Sequence, residues 1–507
     1  MPVAMPIRQT VPAALLAALL CGVAPPALAQ AISTARTQAS GISQEQALSL
    51  AARLDALEKR NEELEQQILD LKAAGGANMR IVRDQLSAQP AVTLGNARPT
   101  IATADGNFKF AVRSVVQFDA AHYGESPRTA ANDLGSGTNF RRARLGVDGT
   151  AWRDWNFALW GEFGGSGGES AILNQAYLEY AGWRPFGLEE PVRLRVGAWA
   201  TPAGLEDATS NTEELFLERP AIAELVRGFA TGDGRTGVGA TTRGRGWYAS
   251  AVLTGKVVGV PAAAEFDQQS GFAARVAFNP IHGADYDVHV GANIQGILNP
   301  ADTTAGPIST RAVRLQERPE LRVSGIRLVD TGAIASDGLT AYGLEGGASW
   351  HNLYAAGEWY RVDVNREAVP PALSAFDPSF SGWYLQGAWA ITGEHHGWTN
   401  ANGGFTGLRP AKPFDRSKGT LGAWEIAARY SVLDLDNHPG VFGKAAPAGG
   451  IRGGEQKIST VGLNWYPNSV VRFLLDYQWA DVKRLSAAGA DVGEEVNVIS
   501  FRSQYAF

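Results

Sequence analysis

From residue 105 to its end, the chain repeats short segments in which apolar and polar side chains alternate. "WNFALWGEF" (155–163) sets Trp155, Phe157, Leu159 and Phe163 against Asn156, Trp160 and Glu162. "VHVGANIQG" (288–296) and "VRFLLDYQW" (471–479) behave likewise, the latter opposing Val471, Phe473, Leu475, Tyr477 and Trp479 to Arg472, Asp476 and Gln478. A period of two is the signature of a strand with unlike faces. Alternation alone fits any half-buried antiparallel sheet, and a soluble sandwich or β-helix stays an alternative. Two features favour a membrane. Aromatic residues crowd the segment ends, where an interfacial girdle needs them, and no leftover apolar segment exists to cover the apolar face. No stretch after the first thirty residues holds eighteen consecutive apolar residues, so helical spans are excluded there. A closed β-barrel is the membrane structure that remains.

Seventeen segments can be counted. A single-chain barrel with both termini in the periplasm requires an even number. Tight connections fall at "RDW" (153–155), "RGRG" (243–246), "WHN" (350–352) and "YPNS" (466–469). All four become periplasmic turns only if residues 311–325 do not span, so that 297–339 forms one long external loop. The expectation is an all-β transmembrane barrel of 16 antiparallel strands over residues 106–507, enclosing a water-filled channel.

Composition breaks near residue 100: all 14 Trp, 13 Tyr and 20 Phe lie at or after Phe108. Before the break, Leu50, Leu54, Leu57, Asn61, Leu64, Ile68 and Leu71 are spaced alternately four and three apart. This is the a/d seam of a short α-helical coiled coil over 45–75, with Asn61 at an a position that fixes register. A single amphipathic helix docked on the barrel is the alternative. "AAGG" (73–76) is expected to stop the helix, and 76–105 reads as a linker. At the amino terminus, Arg8, the apolar "TVPAALLAALLCGV" and Ala27-Leu28-Ala29 read as a signal peptide over 1–29, followed by a leader over 30–44. The only cysteine, Cys21, lies in that signal, so no disulfide supports the exported protein.

A net charge of −6 argues against nucleic acid as a partner. The basic residues are 36 Arg to 9 Lys. Codon bias accounts for such a ratio, as does a need for permanent planar charges that bind anions. In "FRRARLGVDG" (140–149), Ala143, Leu145 and Val147 take the outer face, and Arg142, Arg144 and Asp148 the inner one. Arg141 is out of phase. Arg193, Arg195, Arg275, Arg429 and Arg502 also fall on polar faces. A row of arginines in a narrow channel focuses a positive potential and admits anions.

Several motifs occur in order: "FRRARLGVDGTAWRDWNF" (140–157), "PAGLEDATSNTEELFLERP" (202–220), "ERPELRV" (317–323), "VDTG" (329–332), "GAWEIAARY" (422–430), "VGLNWYPN" (461–468) and a terminal "FRSQYAF" ending in Phe507. Together they resemble the phosphate-selective porins O and P of outer membranes, over about residues 105–507. The resemblance implies a homotrimer of sixteen-stranded barrels in the Gram-negative outer membrane, contacting its lipid. The amino-terminal coiled coil would lie in the periplasm. Its third loop would fold inward as a constriction. Arg141 and Arg142 would correspond to the paired constriction arginines and Arg219 to the one on the loop. Arg144 is added to this site by its inward parity, and Arg113 by sharing a face with Val115, which aligns with a ladder arginine. Arg318 and Arg322 would belong to the arginine ladder. The segment 393–419 would fold into the lumen, with Arg409, Lys412, Arg416 and Lys418 at the inner mouth. Phe507 would address the barrel-assembly machinery. Asp207 and Asn174 depart from the phosphate-selective pattern, which carries Lys and Asp there.

Other motifs carry no chemistry. "GGSGG" (164–168) has no following helix to make a nucleophile elbow. "GDGRTG" (232–237) leads into a strand and not a helix. His395 and His396 lack the further ligands of a metal site, and "DLDNHPG" (434–440) lacks the calcium loop's glycine and distal glutamate. The sequence therefore reads as a passive channel for small anions, with phosphate or polyphosphate as candidate solutes, no enzyme activity, no cofactor and no metal. Two alternatives stand beside it: a weakly selective porin for acidic organic solutes, and a barrel anchor whose coiled coil tethers the envelope.

Overall fold

The computed structural model describes residues 44–95, 98–127, 133–165, 172–259, 267–302, 311–367 and 376–507. The proposed signal peptide, and all of the leader but residue 44, lie outside them. The chain divides into two units, Met1–Ser87 and Ala88–Phe507.

The described residues of the first unit belong to a helix, α1 (Gln44–Ala88). It runs through Gly75 and Gly76, so "AAGG" does not stop it. Added side chains at both glycines would meet nothing, and the penalty of about 1 kcal/mol for each is spread over a long helix of good formers. Leu50, Leu54, Leu57, Leu64, Ile68 and Leu71 are all exposed on it. The segment expected as a linker is thus the end of α1 followed by a hairpin, Ala91–Gly95 with Arg98–Ala102.

The second unit holds sixteen barrel strands. They are β1 (Lys109–Ser126), β2 (Gly137–Ala151), β3 (Trp155–Glu162), β4 (Ile172–Trp183), β5 (Val192–Trp199), β6 (Arg235–Gly244), β7 (Trp247–Val257) and β8 (Ser270–His282), then β9 (Tyr286–Asn299), β10 (Val329–Trp350), β11 (Leu353–Arg366), β12 (Ser379–Ala390), β13 (Ala423–Asn437), β14 (Ile451–Tyr466), β15 (Val471–Lys483) and β16 (Glu494–Ala506). Each pairs antiparallel with its neighbour, and β16 closes on β1 from Ala506↔Val115 to Glu495↔Ser126. Closure leaves no edge, as a lipid-facing sheet requires. The four tight connections foreseen lie at one end of the barrel, which we call the turn end, together with the longer connection 391–422, and the loops 200–234 and 300–328 lie at the other. Residues 311–325 do not span. Ala312–Glu317 pairs instead with the upper part of β10, above the register that β10 shares with β9.

The lumen is not empty. The loop 200–234 folds inward and carries α2 (Leu205–Ala208) and α3 (Ala221–Ala230). Ile222, Leu225, Val226 and Phe229 of α3 pack against Leu315 and Leu321 of the loop 300–328 and against inward Val362, Phe380 and Leu433. Sixteen strands enclose more space than side chains fill, and the inward loops occupy much of the upper part.

Candidate functional site

The site begins with an irregularity in β2. Gln117 of β1 faces Arg142, and Phe118 faces Phe140, so Arg141 is an extra residue in a β-bulge. A bulge turns two successive side chains to one side. Arg141 and Arg142 therefore both point inward and are buried. Arg141 donates to the Glu218 carboxylate at 2.6 and 3.2 Å, and Arg142 Nη1 donates to Gln117 Oε1 at 2.7 Å. Glu218 lies on the inward loop, so Arg141 fastens that loop to the wall. Arg502 of β16 joins from the far side of the closure, donating to Asp119 and, at 3.0 Å, to Glu218. Burial pushes the Glu218 carboxyl upward, but the guanidinium groups of Arg141, Arg502, Arg142 and Arg322 hold it far below the usual carboxylate range.

Next along the wall, cross-strand pairing sets the geometry. Arg144 lies directly opposite Glu162 and bonds it, and its Nη2 reaches Asp233 at 2.7 Å. Arg113, Gly146 and Trp160 form one inward row across β1, β2 and β3. A Cβ at Gly146 would sit 2.5 Å from the Trp160 ring. Its absence lets Trp160 lie flat, and the Arg113 guanidinium stacks 4.4 Å from the ring centroid.

The inward loop carries its own charges. Arg219 lies 2.8 Å from Glu214 and 3.6 Å from both Asp207 and Glu224. Arg227 of α3 pairs at 2.5 Å with Asp207 and with Asp233. Glu224 is held down to about 2: burial opposes this, and Arg322, Arg227 and Arg219 outweigh it. Glu206 goes the other way. Burial, reinforced by Glu214, pushes it up to about 7, and Gln386 donates to it at 2.7 Å. Asp207 thus neutralises parts of two arginines.

Beneath this loop, toward the turn end, lies a cavity of about 530 Å³. Its lining includes Arg113, Arg144 and Arg219 from the expected set, together with Arg409. Arg98, Arg227 and Arg472 line it too, giving seven arginines against the carboxylates of Asp207, Glu213 and Asp233. Arg141 and Arg142 lie behind the lining. Arg193 and Arg195 converge on Glu179 outside it, the latter at 2.5 Å and stacked 4.0 Å from Tyr177. Arg318 and Arg322 sit in the long loop, where Arg322 pairs with Glu224 and lies 3.7 Å from Glu218. The turn 391–422 enters the lumen as foreseen: Asn402 donates to Ala208 on the inward loop at 2.5 Å, and Arg275 donates to the Asn402 and Gly403 carbonyls. Arg409 on this turn pairs with Glu213 at 3.2 Å. Lys412, Arg416 and Lys418 are exposed on the same turn and do not line the cavity.

Sequence reasoning missed three of the seven. Arg472 stood on an inward face by alternation. Arg227 is signalled only by its helix. Arg98 fell in the segment read as a linker. Histidines dock the inward turn. His396 bonds Glu425 Oε1 at 2.5 Å and the Thr406 carbonyl at 2.9 Å, and His289 accepts from Trp398 Nε1 at 3.1 Å.

Comparisons with known proteins show the family of the barrel. A family model described as phosphate-selective porin O and P matches residues 110–507. Porin O of Pseudomonas aeruginosa is 25% identical over 434 residues, covering 80% of this chain and 90% of that one. An uncharacterized protein of Caulobacter vibrioides is 24% identical over 429 residues, covering 81% and 76%. Among solved structures, the anion-selective porin from Comamonas acidovorans aligns with 79% of this chain and 100% of its own, at 13% identity and a TM-score of 0.43. The outer membrane channel DcaP of Acinetobacter baumannii aligns with 79% and 98%, at 11% identity and the same TM-score. With a family match spanning nearly all of the barrel, the chain belongs to the phosphate-selective porin O and P family of outer-membrane porins.

Proposed function

We propose that this porin passes small anions passively between the inward loop 200–234 and the arginine-bearing wall. The observation that carries the reading is the cavity beneath that loop, lined by seven arginines and three carboxylates. Such an excess in a confined space raises the local anion concentration and repels cations. Arg98 and Arg113, the more water-accessible of these, offer charge-assisted hydrogen bonds that replace part of an anion's hydration shell, while Arg144 and Arg219 act from within their ion pairs. Arg141 and Arg142 back the site electrostatically, and Arg141 holds its loop. The test is the single-channel reversal potential in a potassium chloride gradient. Anion selectivity is expected, and cation selectivity would sink the claim. Saturation of chloride conductance by millimolar phosphate would establish the phosphate-specific form.

Passage of larger acidic organic solutes is the second reading, favoured by the cavity's size and by Trp160, Tyr466 and Phe507 in its lining. Liposome swelling separates the two, since equal rates for neutral and acidic solutes of equal size would favour unselective diffusion. The assembly fits a homotrimer. β3 and β5 have eight residues each, below the nine to eleven that usually cross a bilayer. Their exposed Leu159, Leu194 and Val196 call for cover by another copy. The unpartnered seam of α1 fits a periplasmic coiled coil joining the copies.

A further inference from the structure

The cavity arginines differ in their access to water. Arg144 and Arg219 are 6% and 5% exposed and are held in ion pairs, whereas Arg98 and Arg113 are 29% and 42% exposed. A solute in the cavity meets the second pair directly. Arg98 does not belong to the barrel. It opens the second strand of the amino-terminal hairpin, upstream of the family match. That strand pairs with the foot of β1, Thr100 opposite Ala111 and Ala102 opposite Lys109. Ala111 is two residues from the inward Arg113, so Thr100 also faces inward, and Arg98, two residues further, shares that face.

Its position has a defined charge. Arg98 Nη2 lies 2.5 Å from both carboxylate oxygens of Asp148, and Arg113 Nε lies 3.7 Å from the same group. Two water-facing cations share one carboxylate, leaving one net positive charge. Without Arg98 this cluster would hold one cation and one anion, and no net charge.

We infer that Arg98, supplied by the amino-terminal hairpin, is a selectivity-determining residue at the turn-end mouth of the anion path. This rests on the reading of the cavity as that path and names a residue that the barrel alone does not provide. Full-length wild type, Arg98→Gln, Arg98→Lys, Asp148→Asn and the double variant Arg98→Gln/Asp148→Asn are compared by reversal potential in a potassium chloride gradient. Arg98→Gln is expected to lower the chloride-to-potassium permeability ratio roughly three-fold or more, the effect of one unit charge at ~7 Å in water. Arg98→Lys should keep the wild-type ratio. Asp148→Asn should raise it, and the double variant, again with one net positive charge, should return to wild type. An unchanged ratio in Arg98→Gln would overturn the inference. If that variant does not assemble, the comparison of the double variant with Asp148→Asn decides, and equal ratios there overturn it. A wild type without anion preference would defeat the reading of the cavity, while the direction of the Arg98→Gln shift would still decide the role of Arg98.

Discussion

At the residue scale, charge in this lumen is less free than a count of arginines suggests. Most inward guanidinium groups are committed to carboxylates on the inward loop or on neighbouring strands. Arg275 pairs with Glu345, Arg429 with Glu320, and Arg502 with Asp119 and Glu218. Removing one partner of such a pair leaves a buried charge and costs about 3–5 kcal/mol, and the same guanidinium groups hold the inward segments that plug the lumen, Arg275 through the Asn402 and Gly403 carbonyls and Arg502 through Leu217 and Glu218. Asp207 borders the cavity, as Glu213 and Asp233 do, and pairs with Arg219 and Arg227. Asp207→Asn keeps Glu214 on Arg219 and Asp233 on Arg227. It should raise the chloride-to-potassium permeability ratio roughly two- to three-fold, by the Coulomb effect of one partly screened charge. A falling ratio would show that Asp207 lies off the path.

At the scale of elements, the inward turn 391–422 is held by a titratable contact. Both ring nitrogens of His396 face acceptors, Glu425 Oε1 and the Thr406 carbonyl. Only the doubly protonated ring can donate to both. Burial alone would lower its affinity for a proton, but Glu425 and Thr406 raise it above the ordinary histidine value. With the folded value raised, the contact stabilises the turn fully below about pH 6.5, the unfolded value, and fades as pH rises through the folded one. Arg472, Tyr354, Asn464 and Tyr466 surround this contact and oppose or frame it. Hydrogen exchange at residues 397–406, corrected for intrinsic rates, should show protection falling as pH is raised across that interval. His396→Gln should show weak protection at every pH. A flat wild-type profile would mean that other contacts, such as Trp398 with His289, suffice to dock the turn.

At the scale of the whole molecule, the wall is uneven. β10 runs twenty-two residues, while β3 and β5 run eight. The low side exposes Leu159, Leu178, Leu194 and Val196, the surface on which the proposed trimer would close. Leu159→Arg should convert a detergent-resistant trimer to monomer on unheated electrophoresis, since a buried interfacial charge costs several kcal/mol. The same substitution at Leu385, exposed on the taller wall, should leave the trimer intact. Equal behaviour of the two variants would remove the low side as the interface.

How much of this the sequence revealed depends on the range of the interaction. Period-two alternation is a local property, so the strands, their inward faces and the turn end were all readable, and an even strand count together with the tight connections placed 311–325 outside the wall. The out-of-phase Arg141 already marked the bulge. The helix extent was misread because two glycines are tolerated in a long exposed helix, and that is an energetic balance over many residues. The pairing of charges was beyond reach for a different reason. Arg141 meets Glu218, and Arg502 of the last strand meets the same carboxylate. Those contacts exist only once the barrel has closed and the loop has folded in. The amino-acid order determined that arginines would line a barrel. Tertiary structure decided which of them are spent holding the plug and which, Arg98 and Arg113 among them, still face water.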